Sequence, residues 1–244
     1  MSLPHFFAGA PHPGEPVALA VADARHAIRS LRLRPGDEFT SSDGDGGLAR
    51  CRIVRAERLL VEAEVVERTE VPRPQPILSV VLAPPKGERL RWAVQKLSEV
   101  GADSIVLVEA SRGARRWEGE RGARIGPRLA SVAREAAKQA RRPFIPAVSG
   151  PVPWAEAVVP DAVDGPEVVL WERAGEGLLS ALPESRPHAV TLVIGPEGGI
   201  PEDDARAAEG SGAALASLGP NVLRTETAAV AAAAVTLARY GRLG

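Results

Sequence analysis

Apolar positions along this chain follow two different rhythms. Between residues 16 and 67 the runs are short. PVALAV (16–21) is a continuous apolar run that predicts a strand. DARHAIRSLRL (23–33) predicts a short helix, with Asp23 as its N-cap and Ile28, Leu31 and Leu33 at its apolar positions. RPGD (34–37) reads as a turn. DEFTSSD, the glycine turn GDGG (44–47) and LARCRIV (48–54) predict a hairpin, and LLVEAEVVE (59–67) predicts another strand with partial alternation. Short strands around one small helix predict a little β-barrel. PRPQP (72–76) can continue neither strand nor helix, because its three prolines lack N–H donors and fix φ. The expected division is a barrel over 1–71, a linker over 72–76 and a second domain over 77–244.

Beyond the linker, strands and helices alternate. ILSVVLA (77–83) predicts a buried strand, and ERLRWAVQKLSEVG (88–101) an amphipathic helix stopped by Gly101. SIVLVEA (104–110) predicts a strand, 120–141 a long helix, and 145–158 a weaker strand-helix unit. EVVLWE (167–172), VTLVIG (190–195) and AALASLG (213–219) predict further strands, with helices over 201–210 and 225–240. Trp92 and Trp171 sit in apolar patterns and are expected in the core. The alternation predicts an α/β domain whose parallel sheet is covered on both faces.

Composition narrows the classes. With 45% hydrophobic and 25% charged residues in 244, wholesale disorder is excluded. There is no run of about 18 uncharged apolar residues, so no membrane helix is expected. The first residues do not form a secretory signal. One cysteine, Cys51, excludes a disulfide framework and a Cys-rich zinc cluster, and four scattered histidines give no metal pattern. A cytoplasmic protein without metal is expected. The net charge of −1 hides an asymmetry: residues 1–150 carry 24 Lys+Arg against 18 Asp+Glu, and residues 151–244 carry 6 against 13. Residues 111–142 hold ten basic side chains and three acidic ones. That suits either an anionic partner such as RNA or an arginine-rich solvated helix face.

Candidate chemistry lies in the last fifty residues. VTLVIGPEGGIPEDDA (190–205) runs from strand through glycine loop to helix start. Ligands of open α/β sheets gather at the carboxyl ends of strands, so this is a candidate cofactor loop, or else a tight strand-to-helix turn. It is neither G-x-G-x-x-G nor a Walker loop, and Glu202, Asp203 and Asp204 just after it would repel a polyphosphate. A cofactor without phosphate is favoured over NAD or ATP. Asp203 and Asp204 read as acids at a helix's positive end rather than as metal ligands. ASLGPNVLRTETAAV (216–230) repeats the arrangement, with Thr225 as the expected cap, Glu226 in the first turn and Arg224 just before it. The helix that follows is rich in Ala and Val, which permits close packing or a dimer contact.

IGPEGGI (194–200) followed by LGPNVLRTETA (218–228) resembles the paired motifs of SPOUT-class RNA methyltransferases, and more closely the bacterial 16S rRNA uracil-N3 methyltransferase family. The likeness extends through HAIRSLRLRPGDEF (26–39), KGERLRWAVQKLSEVGADSIVLV (86–108) and REAAKQARRPFIP (134–146). The resemblance implies a PUA-like N-terminal barrel that binds RNA and a C-terminal SPOUT α/β domain containing a trefoil knot. It also implies S-adenosylmethionine as cofactor, a homodimer, and 16S rRNA or the small ribosomal subunit as partner. Carried over by position, Ile194, Gly195, Glu197, Gly198 and Gly199 form one cofactor loop and Leu218 and Gly219 a second. Leu223, Arg224, Thr225, Glu226, Thr227 and Ala228 close the pocket. Two positions depart from the family pattern: Asn221, where a basic residue is frequent, and Arg141, where glycine is.

Uracil N3 carries a proton that must leave before it attacks a methyl group. Arg224 is the expected catalytic residue, stabilising the anion at a uracil oxygen. Glu226 could take the proton, but a helix's positive end is a poor place for a base. Arg25, Arg29, Arg32, Arg34, Arg112, Arg115, Arg116, Arg141 and Arg142 are the expected RNA contacts, and Trp117 the candidate for base stacking. Two alternatives remain: a SPOUT enzyme acting on another rRNA or tRNA base, and a non-catalytic RNA-binding assembly factor.

Overall fold

The computed structural model describes residues 3–109, 120–158 and 165–243. It divides into two units, Met1–Arg73 with Ala137–Ile145, and Pro74–Ala136 with Pro146–Gly244. Arg112, Arg115, Arg116 and Trp117 lie outside the described residues.

The first unit contains β1 (His5–Phe6), β2 (Pro16–Ala18), α1 (Val21–Arg29), β3 (Glu38–Ser42), β4 (Gly47–Glu57) and β5 (Leu60–Glu70). They form a five-stranded sheet in the order β1-β3-β4-β5-β2. The β4–β5 hairpin shows why the sequence alternates there. Ala49, Cys51 and Ile53 of β4 and Val61, Ala63 and Val65 of β5 point inward, joining Phe6, Phe39 and the Ala24 and Ala27 face of α1 in one core. Arg50 and Arg52 point outward, where Arg50 pairs with Glu38 and Glu67 and Arg52 with Glu38. These exposed pairs suit the alternation but contribute little stability.

Three local expectations are corrected. β2 ends at Ala18, and the chain is helical from Val21, so PVALAV is only half strand. Asp23 does not cap α1: Ala20 holds the N-cap position without a side-chain bond, and Asp23 lies in the first turn, where it pairs with Lys138 at 2.8 Å. The helix ends at Arg29, because Arg32 adopts a left-handed φ of 58°; this leaves Leu31 exposed. His5–Phe6 is a strand that no pattern announced, since two residues carry no period.

The second unit contains β6 (Ile77–Leu82), α2 (Arg89–Val100), β7 (Ser104–Glu109), α3 (Glu120–Gln139), β8 (Ala147–Pro153), α4 (Trp154–Ala157), β9 (Glu167–Leu170), α5 (Leu178–Ala181), β10 (Ala189–Ile194), α6 (Glu202–Gly210), β11 (Ala214–Ala216) and α7 (Thr225–Arg239); the last residues of α3 cluster with the first unit. Its sheet has six strands, all parallel, in the order β11-β9-β10-β6-β7-β8. Every residue of the central β10 is buried, as a sheet covered on both faces requires. On one face, Val190, Leu192 and Ile194 pack with Leu90, Val94 and Leu97 of α2 and Ala229, Ala232 and Ala233 of α7. On the other, Val81, Val169, Val193 and Trp171 pack with Ala205 and Ala208 of α6. The small residues of α7 therefore serve close packing inside this unit.

Trp171 is buried, but Trp92 is 44% exposed and is not a core residue. Leu90, Ala93, Val94 and Leu97 make the buried side of α2, and position 92 is turned about 200° from position 90. Four polar residues occupy neighbouring register positions across the sheet, Glu167, Thr191, Ser79 and Ser104. The two serine hydroxyls bond at 2.8 Å. Glu167 and Thr191 are both 2% exposed, and their side-chain oxygens find no partner among the described residues.

Candidate active site

A cavity of about 460 Å³ opens at the carboxyl ends of β9, β10 and β11, where open parallel sheets take their ligands. Its first wall is the loop after β10, from Gly195 through Pro196, Glu197, Gly198 and Gly199 to Ile200. Its second is the segment after β11, from Ser217 to Leu223. Leu170, Ile194 and Ala216 at the ends of β9, β10 and β11, Trp171 and Glu172 after β9, and Thr225 and Ala228 of α7 complete the lining. The two glycine-bearing bends, far apart in an extended chain, thus face one space.

The backbone of each loop depends on glycine. Gly199 has a φ of 77°, and a Cβ there would stand 2.9 Å from Glu172 Oε1. Gly219 has a φ of 103°. Both values lie in the left-handed region that side chains disfavour.

Side chains from other elements hold the first loop. The Thr225 hydroxyl donates to the Gly195 carbonyl at 3.2 Å, and the Trp171 indole N–H donates to the Ile200 carbonyl at 3.1 Å. Within the loop, Gly199 N–H donates to the Pro196 carbonyl at 2.9 Å. Arg89, the first residue of α2, donates from Nη1 to Glu197 Oε1 at 2.6 Å.

Of the residues expected in the pocket, Ile194, Gly195, Glu197, Gly198, Gly199, Leu218, Gly219, Leu223, Thr225 and Ala228 line the cavity, whereas Arg224, Glu226 and Thr227 do not. Thr225 is not the helix cap it was expected to be. Arg224 occupies that position with extended backbone, and the Thr225 hydroxyl reaches across to the first loop instead. Glu226 is buried, with Oε1 4.0 Å from Arg89 Nη1 and Oε2 without a hydrogen-bond partner among the described residues. The Arg224 side chain is exposed and pairs with no carboxylate among the described residues. Asp203 and Asp204 stand in the first turn of α6 with Glu202, and no group of three His, Cys, Asp or Glu among the described residues could hold a metal.

Outside the two motifs, sequence reading missed Leu170, Trp171, Glu172, Ala216 and Ser217 as lining residues and Arg89 as a loop anchor. Trp171 reads as core from its apolar run, which hides its second role. Arg89 offers no local signal, because its partner lies 108 residues away. The strongly displaced titrating groups do not line the cavity: burial lowers His5 to about 4, raises Cys51 to about 11 and raises Glu167 to about 7.

Of the expected RNA contacts, Arg25, Arg29, Arg32, Arg34 and Arg141 are exposed and Arg142 is half-buried, all within the first unit. Arg141 has a φ of 56°, a left-handed backbone that glycine adopts at less cost than arginine.

Comparison with known proteins bears on the whole chain. Residues 72–237 match a family model described as an RNA methyltransferase domain, and residues 19–66 match an RNA methyltransferase PUA domain. The ribosomal RNA small subunit methyltransferase E of Mycobacterium tuberculosis is 38% identical over 222 residues, covering 88% of this chain and 84% of that one. The enzyme of the same name from Neisseria gonorrhoeae, crystallised with S-adenosyl methionine, is 27% identical with a TM-score of 0.83 over 97% of both chains. A Legionella pneumophila protein in complex with the cofactor SAM is 28% identical with a TM-score of 0.84 over 98% of both. By the family model that spans most of its length and by this level of identity, the chain belongs to the RNA methyltransferase family that contains the ribosomal RNA small subunit methyltransferase E proteins.

Proposed function

We propose that this protein transfers the methyl group of S-adenosylmethionine to N3 of a uridine in 16S rRNA. The observation that carries this reading is the meeting of the two glycine-bearing loops around one cavity, with the exposed Arg224, which pairs with no carboxylate among the described residues, between the lining residues Leu223 and Thr225.

The cavity suits that cofactor. Its volume lies in the range that encloses a small ligand. Its charged lining residues are the carboxylates Glu172 and Glu197, which favour a cationic ligand and oppose a polyphosphate. Bound there, S-adenosylmethionine supplies an electrophilic methyl group on a sulfonium. The chain's own work is then to hold the loops closed through Thr225, Trp171 and Arg89, and to place the base in line with the methyl. Arg224 stabilises the negative charge that develops on a uracil oxygen as the N3 proton passes to water. Glu226 does not line the cavity and faces Arg89, so it is assigned no proton transfer.

RNA is held through the exposed arginines of the first unit, Arg25, Arg29, Arg32, Arg34 and Arg141, by phosphate contacts that give affinity rather than base choice. The reading includes the trefoil knot of the SPOUT domain and a homodimer working in the cytoplasm. Exposed apolar side chains of the second unit, Trp92 and Val222, support a further contact surface there. Among the described residues no helix is long and apolar enough to cross a membrane.

The test is mass mapping of rRNA after incubating small subunits lacking the modification with the enzyme and isotopically labelled cofactor. One methyl on a 16S uridine at N3 is expected. Label on another base, or on tRNA alone, overturns the assignment.

A further inference from the structure

Between Ile194 and Ile200 the first loop carries a single polar side chain, Glu197; its other residues are glycine and proline. Three anchors from distant segments hold it. Thr225 takes its first carbonyl, Trp171 takes the carbonyl at its end, and Arg89 takes its middle through Glu197. The anchoring nitrogen of Arg89 also stands 4.0 Å from Glu226 Oε1. Glu226 is 7% exposed, and its other oxygen has no partner among the described residues. One guanidinium therefore serves two carboxylates, one on the loop and one on the first turn of α7.

We infer that Arg89 is a positioning residue for cofactor binding, locking the first loop onto the N-terminal end of α7 through Glu197 and Glu226. Arg89 does not line the cavity, so its effect passes through these two carboxylates. The physical reason is preorganisation. A loop of glycines has many conformations in the free protein, and a ligand that needs one of them bears the ordering cost unless the protein has already met it. Without the guanidinium, Glu197 loses its anchor and Glu226 becomes a buried carboxylate without its nearest cation, which favours movement of the first turn of α7. Both changes loosen the same cavity from opposite sides.

The inference rests on the cofactor assignment, and calorimetry with S-adenosylmethionine on the unaltered full chain separates the two. Absence of binding there sinks the assignment itself. With wild-type binding in hand, Arg89→Ala should weaken cofactor affinity roughly tenfold and raise the KM for cofactor, while kcat at saturating cofactor stays within about twofold. Glu197→Gln should also weaken binding, and the loss in the double variant should fall short of the sum of the two single losses, because the Arg89–Glu197 contact is removed in both. Arg89→Lys should recover most of the affinity, since an ammonium can still meet Glu197. Unchanged affinity in Arg89→Ala, fully additive losses in the double variant, or no recovery by lysine would each overturn the role.

Discussion

Asp103 and Arg242 form an ion pair across 139 residues, with Nη1 2.7 Å from Oδ2, and their side chains are 1% and 8% exposed. Asp103 also accepts the Leu78 backbone N–H at 2.9 Å, while Arg242 donates to the Pro76 and Gly101 carbonyls. The pair ties the chain's end to the starts of β6 and β7, next to the α2–α7 layer. Removing one partner of a buried pair leaves an uncompensated charge and costs about 3 kcal/mol or more. Arg242→Ala should therefore lower the unfolding free energy by about that amount in denaturant titration. A loss under about 1 kcal/mol would mean that water reaches Asp103.

Glu167 ties stability to pH. Burial raises its carboxyl from 4.5 to about 7, and its oxygens have no partner among the described residues. Below pH 4.5 the group is protonated in folded and unfolded chains alike, and its ionisation costs nothing. As pH rises the unfolded chain ionises first, so stability falls until the folded pKa is passed; the full loss is on the order of 3 kcal/mol. Glu167→Gln cannot ionise. Its stability relative to wild type should climb between pH 5 and 7 and level off above. A flat difference across that window would show that the carboxyl titrates normally.

Thr225 links helix to loop through one hydroxyl. Thr225→Val keeps the shape and leaves the Gly195 carbonyl without that donor, a change worth about 1 kcal/mol in stability. Cofactor affinity should fall, and Thr225→Ser should restore it. Equal affinity in the valine variant would mean the loop closes without this bond.

Arg224, on the proposed reading, acts on the base and not on the cofactor. Arg224→Ala should reduce single-turnover methylation by about a hundredfold, the scale of one lost anion-stabilising donor, with cofactor affinity nearly intact. Turnover at the wild-type rate would remove Arg224 from the chemistry.

Patterns in short windows carried much of this molecule. The alternation of strands and helices after residue 77, the burial of β10 and the glycine-bearing bends at 195–199 and 219 are all legible, because each depends on residues within a few positions of one another. The local rules that failed did so where a distant group competed. Asp23 fits an N-cap but pairs with Lys138; Thr225 fits one too, and bonds Gly195. Trp92 fits an apolar pattern yet faces solvent, because a helix's period does not say which side another element will cover.

The amino-acid order alone determined most of the strands, helices and glycine turns, since propensity and periodicity are local properties; the two-residue β1, the helical start at Val21 and the single-turn α5 were not among them. Only the tertiary structure decided that β10 lies between β6 and β9, that Ala137–Ile145 clusters with the N-terminal unit, and that Arg89 meets Glu197. Those outcomes rest on contacts between residues far apart in sequence. Their free energy exists only once the intervening chain has folded.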